Sequence, residues 1–331
     1  MRRFAAIACL WLVANGARAG EMDPALARLR IPPGEAGCPA GDGYCPDQEL
    51  FERLVSELAV AITSPVVAPA HTGGSKQFLV GLSSTATGIS ATRAQWIRGS
   101  EGDGGQGDVN ASPDSLLLFH RVQVRKGLPF GFEVGGTAGC APGTSMWTFG
   151  GQLKLAIIEG FRSSYGVLPD VSLRVTWDFL VGTPQLSAAV TSADLVASKE
   201  FVLGQGWSVA PFLGGQLSGM SVASSVVDLT PSESAFDRCR PLPGREGDNG
   251  EDLCAGDASD DKNLSAFLPV SHARFRFVAG TGAEYAWLRL GASVMFDLAA
   301  FAPSMQARAR DFGGDRVATH LAVALTAGAA Y

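Results

Sequence analysis

Hydrophobic and polar residues alternate one by one over most of the chain from about residue 77 onward. The last segment shows this most clearly, since Leu321, Val323 and Leu325 alternate with small or polar residues up to Tyr331. A period of two places successive side chains on opposite faces of a β-strand. The alternation therefore predicts strands near residues 77–92, 113–125, 129–139, 145–158, 170–180, 187–202, 207–222, 268–279, 282–298 and 316–331.

The connections between these strands fall into two kinds. On one side they include three long polar loops, at 93–112, 223–267 and 299–315. On the other side they are mostly short, for example Gly127-Leu128 and Gly280-Thr281. An antiparallel transmembrane β-barrel sorts its loops in this way, whereas a soluble β-sandwich has no reason to do so. The chain is therefore predicted to be all-β, with a transmembrane β-barrel of about ten strands at 77–331. Eight or twelve strands remain alternatives, because several of the longer segments could be divided differently.

One segment before the barrel has a helical period. Asp47 can cap a helix, and apolar residues recur every three or four positions at Leu50, Phe51, Leu54, Val55, Leu58 and Ile62. A helix is predicted at about 47–63. A helix is roughly 10–12 Å across, which a ten-stranded barrel already filled by side chains cannot enclose along its full length. A lumen lined by Arg and Asp would also be a poor environment for the apolar face of the helix. The helix is thus expected beneath the periplasmic mouth as a lid, against the 159–169 turn with Ile158, Phe161 and Leu168. A deep plug in the lumen or a lipid-bound helix is the alternative.

The first residues indicate export. Met1-Arg2-Arg3 is basic, residues 4–14 are apolar, and Ala17-Arg18-Ala19 has the small-residue pattern of a cleavage site. Residues 1–19 are therefore predicted to be a secretory signal peptide. Residues 20–76 would then form a disulfide-clipped periplasmic segment that contains the helix.

Cysteine usage agrees with an oxidising compartment. Cys38 and Cys45 flank a short Pro/Gly-rich stretch, and Cys239 and Cys254 flank a polar one, so each pair is predicted to form a local disulfide. The role of Cys140 stays open between a free thiol and a competing partner in the long loop.

Composition narrows the choice of partners. Hydrophobic residues make up 46% of the chain, charged residues 18%, and the net charge is −6, which argues against binding to nucleic acid. Acidic residues in the Gly-rich and long loops could bind calcium, but their spacing does not match an EF-hand. These residues are Asp103, Asp108, Asp257, Asp260 and Asp261. Solvated acidic loops are expected instead, with no cofactor and no metal site.

The last eleven residues, ending on the aromatic Tyr331, resemble the C-terminal signature strand of Gram-negative outer-membrane β-barrel proteins. The resemblance implies an outer-membrane location, a lipid bilayer as environment and recognition by the outer-membrane assembly machinery. It also implies that Leu321, Val323, Leu325 and Tyr331 form the assembly signal, with the terminal aromatic at the periplasmic interface.

Strand parity then predicts which charged residues face the lumen. An Arg or Lys on the lipid face would cost about 2–4 kcal/mol at the membrane midplane, so an inward position is strongly favoured. Either an ion-pair network that fills the lumen or a basic constriction that selects anions would result. The predicted lumen-lining residues are Arg121, Arg125, Glu133, Lys154, Arg174, Asp178, Asp194, Arg274, Arg276, Arg289 and Asp297.

These features predict a pore or transport barrel for small, unidentified solutes, with a lumen restricted by the N-terminal helix. The alternative is a non-conducting structural or surface-display barrel whose lumen is filled by ion pairs. An outer-membrane enzyme is the least favoured class. His120 is expected to face lipid, and no serine at a suitable spacing joins His320 and Asp315 in a nucleophile–base arrangement.

Overall fold

The computed structural model describes residues 21–40, 43–102, 109–159, 168–204, 206–231, 241–246, 252–254, 264–297 and 321–331. Its main element is a barrel of ten long antiparallel strands, in which β1 pairs with β10 and every strand pairs with the next. The strands are β1 (Phe78–Gly88), β2 (Leu116–Gly127), β3 (Phe132–Cys140), β4 (Trp147–Ile158), β5 (Asp170–Val181), β6 (Leu186–Ser198), β7 (Trp207–Ser224), β8 (Val270–Tyr285), β9 (Leu288–Asp297) and β10 (Leu321–Ala330). The predicted closed, all-β fold with ten strands is confirmed.

Two helices and a few short elements complete the described fold. The helices are α1 (Gln48–Ile62) and α2 (Ala94–Gly99), with single 3-10 turns at Leu26–Arg28 and Pro129–Gly131. Phe201–Gly204 adds to the start of β7, and short strand pairs form between Arg30–Ile31 and Cys45–Pro46, between Val227–Asp228 and Leu264–Ser265, and between Pro241–Glu246 and Asp252–Cys254. Among the residues that the structure describes, no helix is long and apolar enough to cross a membrane.

The helix α1 has the start and the end that its sequence predicts. The Asp47 carboxylate accepts a hydrogen bond from the Leu50 backbone N–H, 3.1 Å away, and so caps the first turn. The helix ends at Ile62, just before Ser64-Pro65, because proline removes a backbone donor and disfavours a helical conformation in the residue before it.

The hairpin between β8 and β9 differs from the prediction. The turn lies at Ala286 and Trp287, where Tyr285 pairs with Leu288, and Gly280 and Thr281 are ordinary strand residues. At Gly280 a Cβ atom would lie 2.3 Å from the Phe212 ring and 2.5 Å from the Ala292 oxygen. Glycine is therefore needed at this position for a close approach inside the barrel rather than for a turn.

The two faces of the barrel wall have different chemistry. The side chains that face outward are mostly large, apolar and exposed, as they are in a barrel surrounded by lipid. They include Leu82, Leu118, Val134, Phe149, Leu153, Leu173, Phe179, Leu195, Leu213, Leu217, Phe275, Phe277, Leu290, Phe296, Val323 and Leu325. The inward side chains are polar or small over much of the wall. A large apolar cluster lies near the end that carries the long loops, and a smaller one lies farther along the lumen around Val196, Phe212 and Val278.

The helix α1 lies inside the barrel, so the predicted lid is wrong. Its apolar face shares one buried cluster with inward-facing residues from β2, β5, β6 and β7, namely Leu117, Phe119, Leu180, Leu186, Ala188, Val190, Met220 and Val222. By contrast, Ile158 and Leu168 are 37% and 46% exposed, and Phe161 lies outside the described residues. The prediction failed because it took the whole lumen to be charged, whereas the half next to the long loops is apolar and lined in part by small residues such as Thr85, Thr87 and Ala324.

The chain runs through the barrel from end to end before it enters the wall. We call residues 21–47 the cap, residues 48–72 the inner segment, and the extended part of the inner segment, 63–72, the strap. The cap lies at the long-loop end, α1 fills the adjoining half of the lumen, and the strap leads to β1 at the short-turn end. The described residues of the segment 20–76, predicted to lie at the short-turn end, thus lie for the most part inside the barrel or at its opposite end.

The cysteines follow the prediction where the structure describes them. The Cys38–Cys45 disulfide is present in the cap, which confirms that pair. Cys140 is a buried free thiol at the end of β3. Cys239 lies outside the described residues, so the Cys239–Cys254 disulfide stays a prediction. The same holds for the signal peptide at 1–19, and the acidic residues weighed for calcium in the loops are also outside the described part.

Candidate functional site in the barrel lumen

The half of the lumen next to the long loops holds α1 by apolar packing. Phe51, Leu54, Val55, Leu58 and Ile62 are all almost completely buried. Full burial of such a side chain contributes about 1.5–3 kcal/mol, so the apolar face of α1 is a large part of what keeps the inner segment in place.

Two arginines of the barrel wall hold the C-terminal end of α1. Arg121 Nη2 donates to the carbonyl oxygens of Ala61 and Ile62, both at 3.0 Å, and Arg276 Nη1 donates to the Val60 oxygen at 3.2 Å. The last carbonyl groups of a helix have no partner within the helix. Cations are favourable there because of the helix dipole. The two arginines therefore satisfy the helix end from strands β2 and β8.

Side chains of two other strands bind the residue at which the helix gives way to the strap. Asp178 on β5 accepts hydrogen bonds from the Ser64 backbone N–H at 2.9 Å and from the Ser64 hydroxyl at 2.7 Å. Gln216 on β7 donates its side-chain amide to the Ser64 oxygen at 3.2 Å. Together with Arg121 and Arg276, these groups bind the inner segment from strands spread around the barrel.

Directed polar contacts hold the strap. Arg174 Nη1 donates to the Pro65 oxygen at 3.0 Å, and its Nε bonds Asp194 at 2.6 Å. Lys154 Nζ donates to the oxygens of Pro69 and His71 at 2.6 and 2.9 Å. The backbone groups of an extended segment have no partners of their own, so wall side chains supply them.

The end of the strap is bound at the short-turn mouth. The Thr72 backbone N–H donates to Glu159 Oε1 at 2.9 Å. The imidazole Nε2 of His71 lies 3.0 Å from Glu284 Oε1, and the other oxygen of Glu284 bonds Arg289 at 2.9 Å. Beside these groups, strap and wall enclose an open cleft of about 380 Å³ that opens at the short-turn end.

The structure brings the eleven charged residues predicted to line the lumen to the inner side of the wall. Eight of them are buried and three, Arg125, Arg174 and Arg289, are partly exposed. Ten of them make at least one hydrogen bond or ion pair with the inner segment or with another of these residues, as in the pairs Arg125–Glu133 and Arg274–Asp297. Arg289 pairs instead with Glu284, the wall carboxylate that also lies against His71 of the strap. Their charges are therefore engaged in holding the lumen closed.

Sequence reasoning missed the glycines against which the strap lies. At Gly291 a Cβ atom would lie 2.4 Å from the Val67 oxygen, and at Gly282 it would lie 2.9 Å from Pro69 Cδ. At Gly127 it would lie 2.0 Å from the Gly74 oxygen. At these three positions the wall therefore has no side chain, and the backbone of residues 67–74 lies in the space that a side chain would fill. The available signal was glycine at inward-facing positions of β2, β8 and β9.

A buried carboxylate that links α1 to the first long loop was missed too. Glu57 of α1 is buried and accepts hydrogen bonds from Ser90 N at 2.8 Å, Gln95 Nε2 at 3.0 Å and Trp96 Nε1 at 2.8 Å. The partners come from residues 89–96, so α1 and this loop are held as one unit. Spacing along α1 alone could not reveal partners that the loop supplies.

One Ser–His pair has to be examined as a candidate catalytic pair. On the outer face, Ser84 Oγ lies 2.7 Å from His120 Nδ1. The strands around the pair are hydrogen-bonded on both sides, so their backbone N–H groups are engaged in the sheet and not available to stabilise an oxyanion. The pair satisfies two polar groups on an apolar wall. His320 and Asp315 lie outside the described residues.

The predicted assembly signal lies on the outer face of β10. Leu321, Val323 and Leu325 are exposed there, and Tyr331 pairs its backbone with Phe78, N to O at 2.8 Å and O to N at 2.9 Å. These bonds extend the β1–β10 pairing that closes the barrel. Recognition of this strand by the assembly machinery stays a prediction.

Comparison with known proteins gives a distant structural similarity only. No protein-family model matches the chain, and no curated protein matches it significantly. Two solved structures of Ail, the attachment invasion locus protein of Yersinia pestis, are similar to it, one of them in complex with the heparin analogue sucrose octasulfate. Each is 9% identical with a TM-score of 0.26, and the match covers 77% of this chain and 98% or 99% of Ail. At this identity and TM-score, the function of Ail does not transfer to this chain.

Proposed function

We propose that the protein is an outer-membrane β-barrel whose lumen is sealed by its own inner segment and whose long-loop end is displayed on the cell surface. The outward face of the closed barrel is apolar and exposed, which suits a lipid environment. The loops are long at one end and short at the other, and in such barrels the long loops face outward. The terminal aromatic strand supports the same location.

The observation that carries this proposal is the occupied lumen. The inner segment extends from the long-loop end to the short-turn end, with contacts from Ser56 to Arg274, from Ser64 to Asp178 and from Thr72 to Glu159. Apolar packing fills one half, and hydrogen bonds from several strands hold the other together with a smaller apolar cluster around Val66, Val67 and Ala70. A solute would have to displace these contacts to pass, so the geometry supports display better than a constitutively open pore.

Conductance of the full-length protein in planar bilayers tests the proposal. We expect no stepwise conductance from protein that migrates faster on a gel when unboiled than when boiled, which shows that the barrel is closed. A variant with Leu58→Asp and Asp178→Ala, which attacks both halves of the lumen, should show conductance steps if its barrel still migrates as closed. Nanosiemens steps from the wild-type protein would contradict a sealed lumen.

A transport function is a second candidate, and the short-turn half favours it. The open cleft of about 380 Å³ reaches the strap there, and water could replace the polar contacts that help to hold it. Apolar packing of Val66, Val67 and Ala70 against the wall holds the strap as well. Locking the strap with Ala70→Cys and Ser198→Cys tests this, since the Ala70 N–H lies 2.9 Å from Ser198 Oγ. Solute uptake that stops when this pair is oxidised, and returns on reduction, would support transport. Wild-type protein under the same reductant controls for the native disulfide.

A further inference from the structure

We infer that the protein carries its own amino-terminal segment across the membrane inside the barrel, so that the cap becomes part of the outer surface. This inference rests on the proposed orientation, with the long loops outside the cell. It concerns the direction in which the chain runs through the lumen, which is independent of whether the lumen conducts.

The direction follows from the order of the contacts. From Ser56 to His71 the inner segment meets Arg274 and then Glu284 on β8, and between Ser64 and Pro65 it meets Asp178 and then Arg174 on β5. The chain of β8 runs toward the short-turn end and the chain of β5 runs away from it. Both series therefore advance toward the short-turn end as the residue number of the inner segment rises. The residues before α1 must then lie at the long-loop end.

Contacts of the cap confirm that position. Asp23 accepts a hydrogen bond from the Ser145 N–H in the β3–β4 hairpin at 2.8 Å, and Gln185 in the β5–β6 hairpin accepts one from the Leu26 N–H at 2.7 Å. Arg28 donates to the Ser100 oxygen in the first long loop at 2.9 Å. Three separate connections of the long-loop end thus bind the cap.

The cap also has a buried core at that end. Met22, Leu26 and Leu29 belong to the same apolar cluster as Trp96 of α2 and the apolar face of α1. The Cys38–Cys45 disulfide closes the part of the cap that follows. The cap is consequently a packed component of the long-loop end rather than a loose tail.

The closed wall determines on which side of the membrane the cap lies relative to the start of β1. β1 begins at Phe78 at the short-turn end and is hydrogen-bonded along its length to both β2 and β10. The contacts of the described residues lead the chain from the cap through the lumen to Phe78, so the cap and Phe78 lie at opposite ends of the barrel. In a membrane, the two ends face different compartments.

Epitope tags on intact cells test the inference. One tag is inserted between Gly20 and Glu21, a second after Gly143 in the β3–β4 hairpin, and a third after Phe130 in the turn before β3. Each variant must keep the heat-dependent gel migration of the wild-type protein. We expect an impermeant antibody to label the first and second tags on intact cells, and the third only after permeabilisation.

The three tags separate the possible failures. If the tag at Glu21 is labelled only after permeabilisation while the tag at Gly143 is labelled on intact cells, the inference is overturned and the proposed orientation stands. If the tag after Phe130 is labelled on intact cells and that at Gly143 is not, the proposed orientation itself is wrong.

A protease gives a readout that needs no insertion. Glu35 lies in an exposed stretch of the cap, residues 32–37. A glutamate-specific protease added to intact cells should cut the wild-type protein after Glu35 and leave the Glu35→Gln variant intact at that bond, as seen by mass spectrometry. Resistance of the Glu35–Ala36 bond in intact cells, with cleavage after permeabilisation, would overturn the inference.

Discussion

The two halves of the lumen hold the same segment by different physics. Next to the long loops, α1 satisfies its own backbone and needs only an apolar surface, which Leu117, Phe119 and Val190 help to provide. Toward the short turns, the strap is extended, and its backbone groups depend on wall side chains such as Lys154 and Ser198. A helix can therefore be anchored by non-directional burial, whereas an extended chain in a barrel requires a partner at each polar group.

This difference predicts how each half responds to mutation. Burial is shared by many side chains in the apolar half. Neighbouring side chains can therefore adjust to a substitution that changes only the shape of a residue, but they cannot stabilise a charge. In the polar half, each wall side chain holds only one or two groups of the strap, so the loss of one side chain is expected to have a smaller and more local effect on stability. Four substitutions separate the two cases.

The largest loss of stability is expected for Leu58→Asp in the apolar half. Leu58 is 1% exposed, and a carboxylate there would have no counter-charge among its apolar neighbours. We expect a loss of more than about 4 kcal/mol in the free energy of unfolding. Limited proteolysis should then cut residues 21–76 while the barrel stays closed on a gel. Leu58→Met, which conserves volume, should cost less than about 1.5 kcal/mol, and a protected inner segment in Leu58→Asp would contradict the packing.

The second-largest loss of stability is expected for Asp178→Ala, at the boundary between the two halves. The change removes the acceptor for both Ser64 donors. It also removes a negative charge that interacts favourably with the buried Arg121. Loss of one partner in a buried charge network costs about 3–5 kcal/mol. Thermal unfolding measures this. Asp178→Asn keeps an acceptor and should fall between the wild type and Asp178→Ala, and equal stabilities for all three would contradict the assigned contacts.

How far the sequence predicts this architecture depends on the range of the interactions. Strand alternation and the Asp47 cap are local, so the barrel and α1 were predicted close to their observed bounds. The position of α1 was not, because an amphipathic pattern shows that a face is buried but not what covers it. The run Leu116–Phe119 is apolar on both faces, and its inward half was the signal for an apolar lumen. Likewise, Gly280-Thr281 has the residues of a turn, yet the turn lies at Ala286 and Trp287.

A third, smaller effect is expected where the strap crosses the wall. In Gly291→Val the new Cβ would lie 2.4 Å from the Val67 oxygen, a backbone atom that has to shift. Overpacking of this kind costs about 1–3 kcal/mol. Gly219→Val on β7 is the matched control, because Gly219 is exposed and nothing lies within 4 Å of its added Cβ. Similar melting temperatures for both variants would show that the strap is not seated on Gly291.

The smallest effect is expected for Ser198→Ala in the polar half. The change leaves the buried Ala70 N–H, now 2.9 Å from Ser198 Oγ, without its acceptor. A single lost hydrogen bond of this kind costs about 1 kcal/mol, so the melting temperature should fall slightly and the gel migration should not change. Ser187→Ala is the control, since its hydroxyl bonds the Ala223 oxygen on the exposed surface and its loss should stay within about 0.5 kcal/mol. If Ser198→Ala released the strap to protease as fully as Leu58→Asp releases α1, the strap would be held cooperatively and not contact by contact. The two halves would then behave as one unit, and the comparison between them would fail.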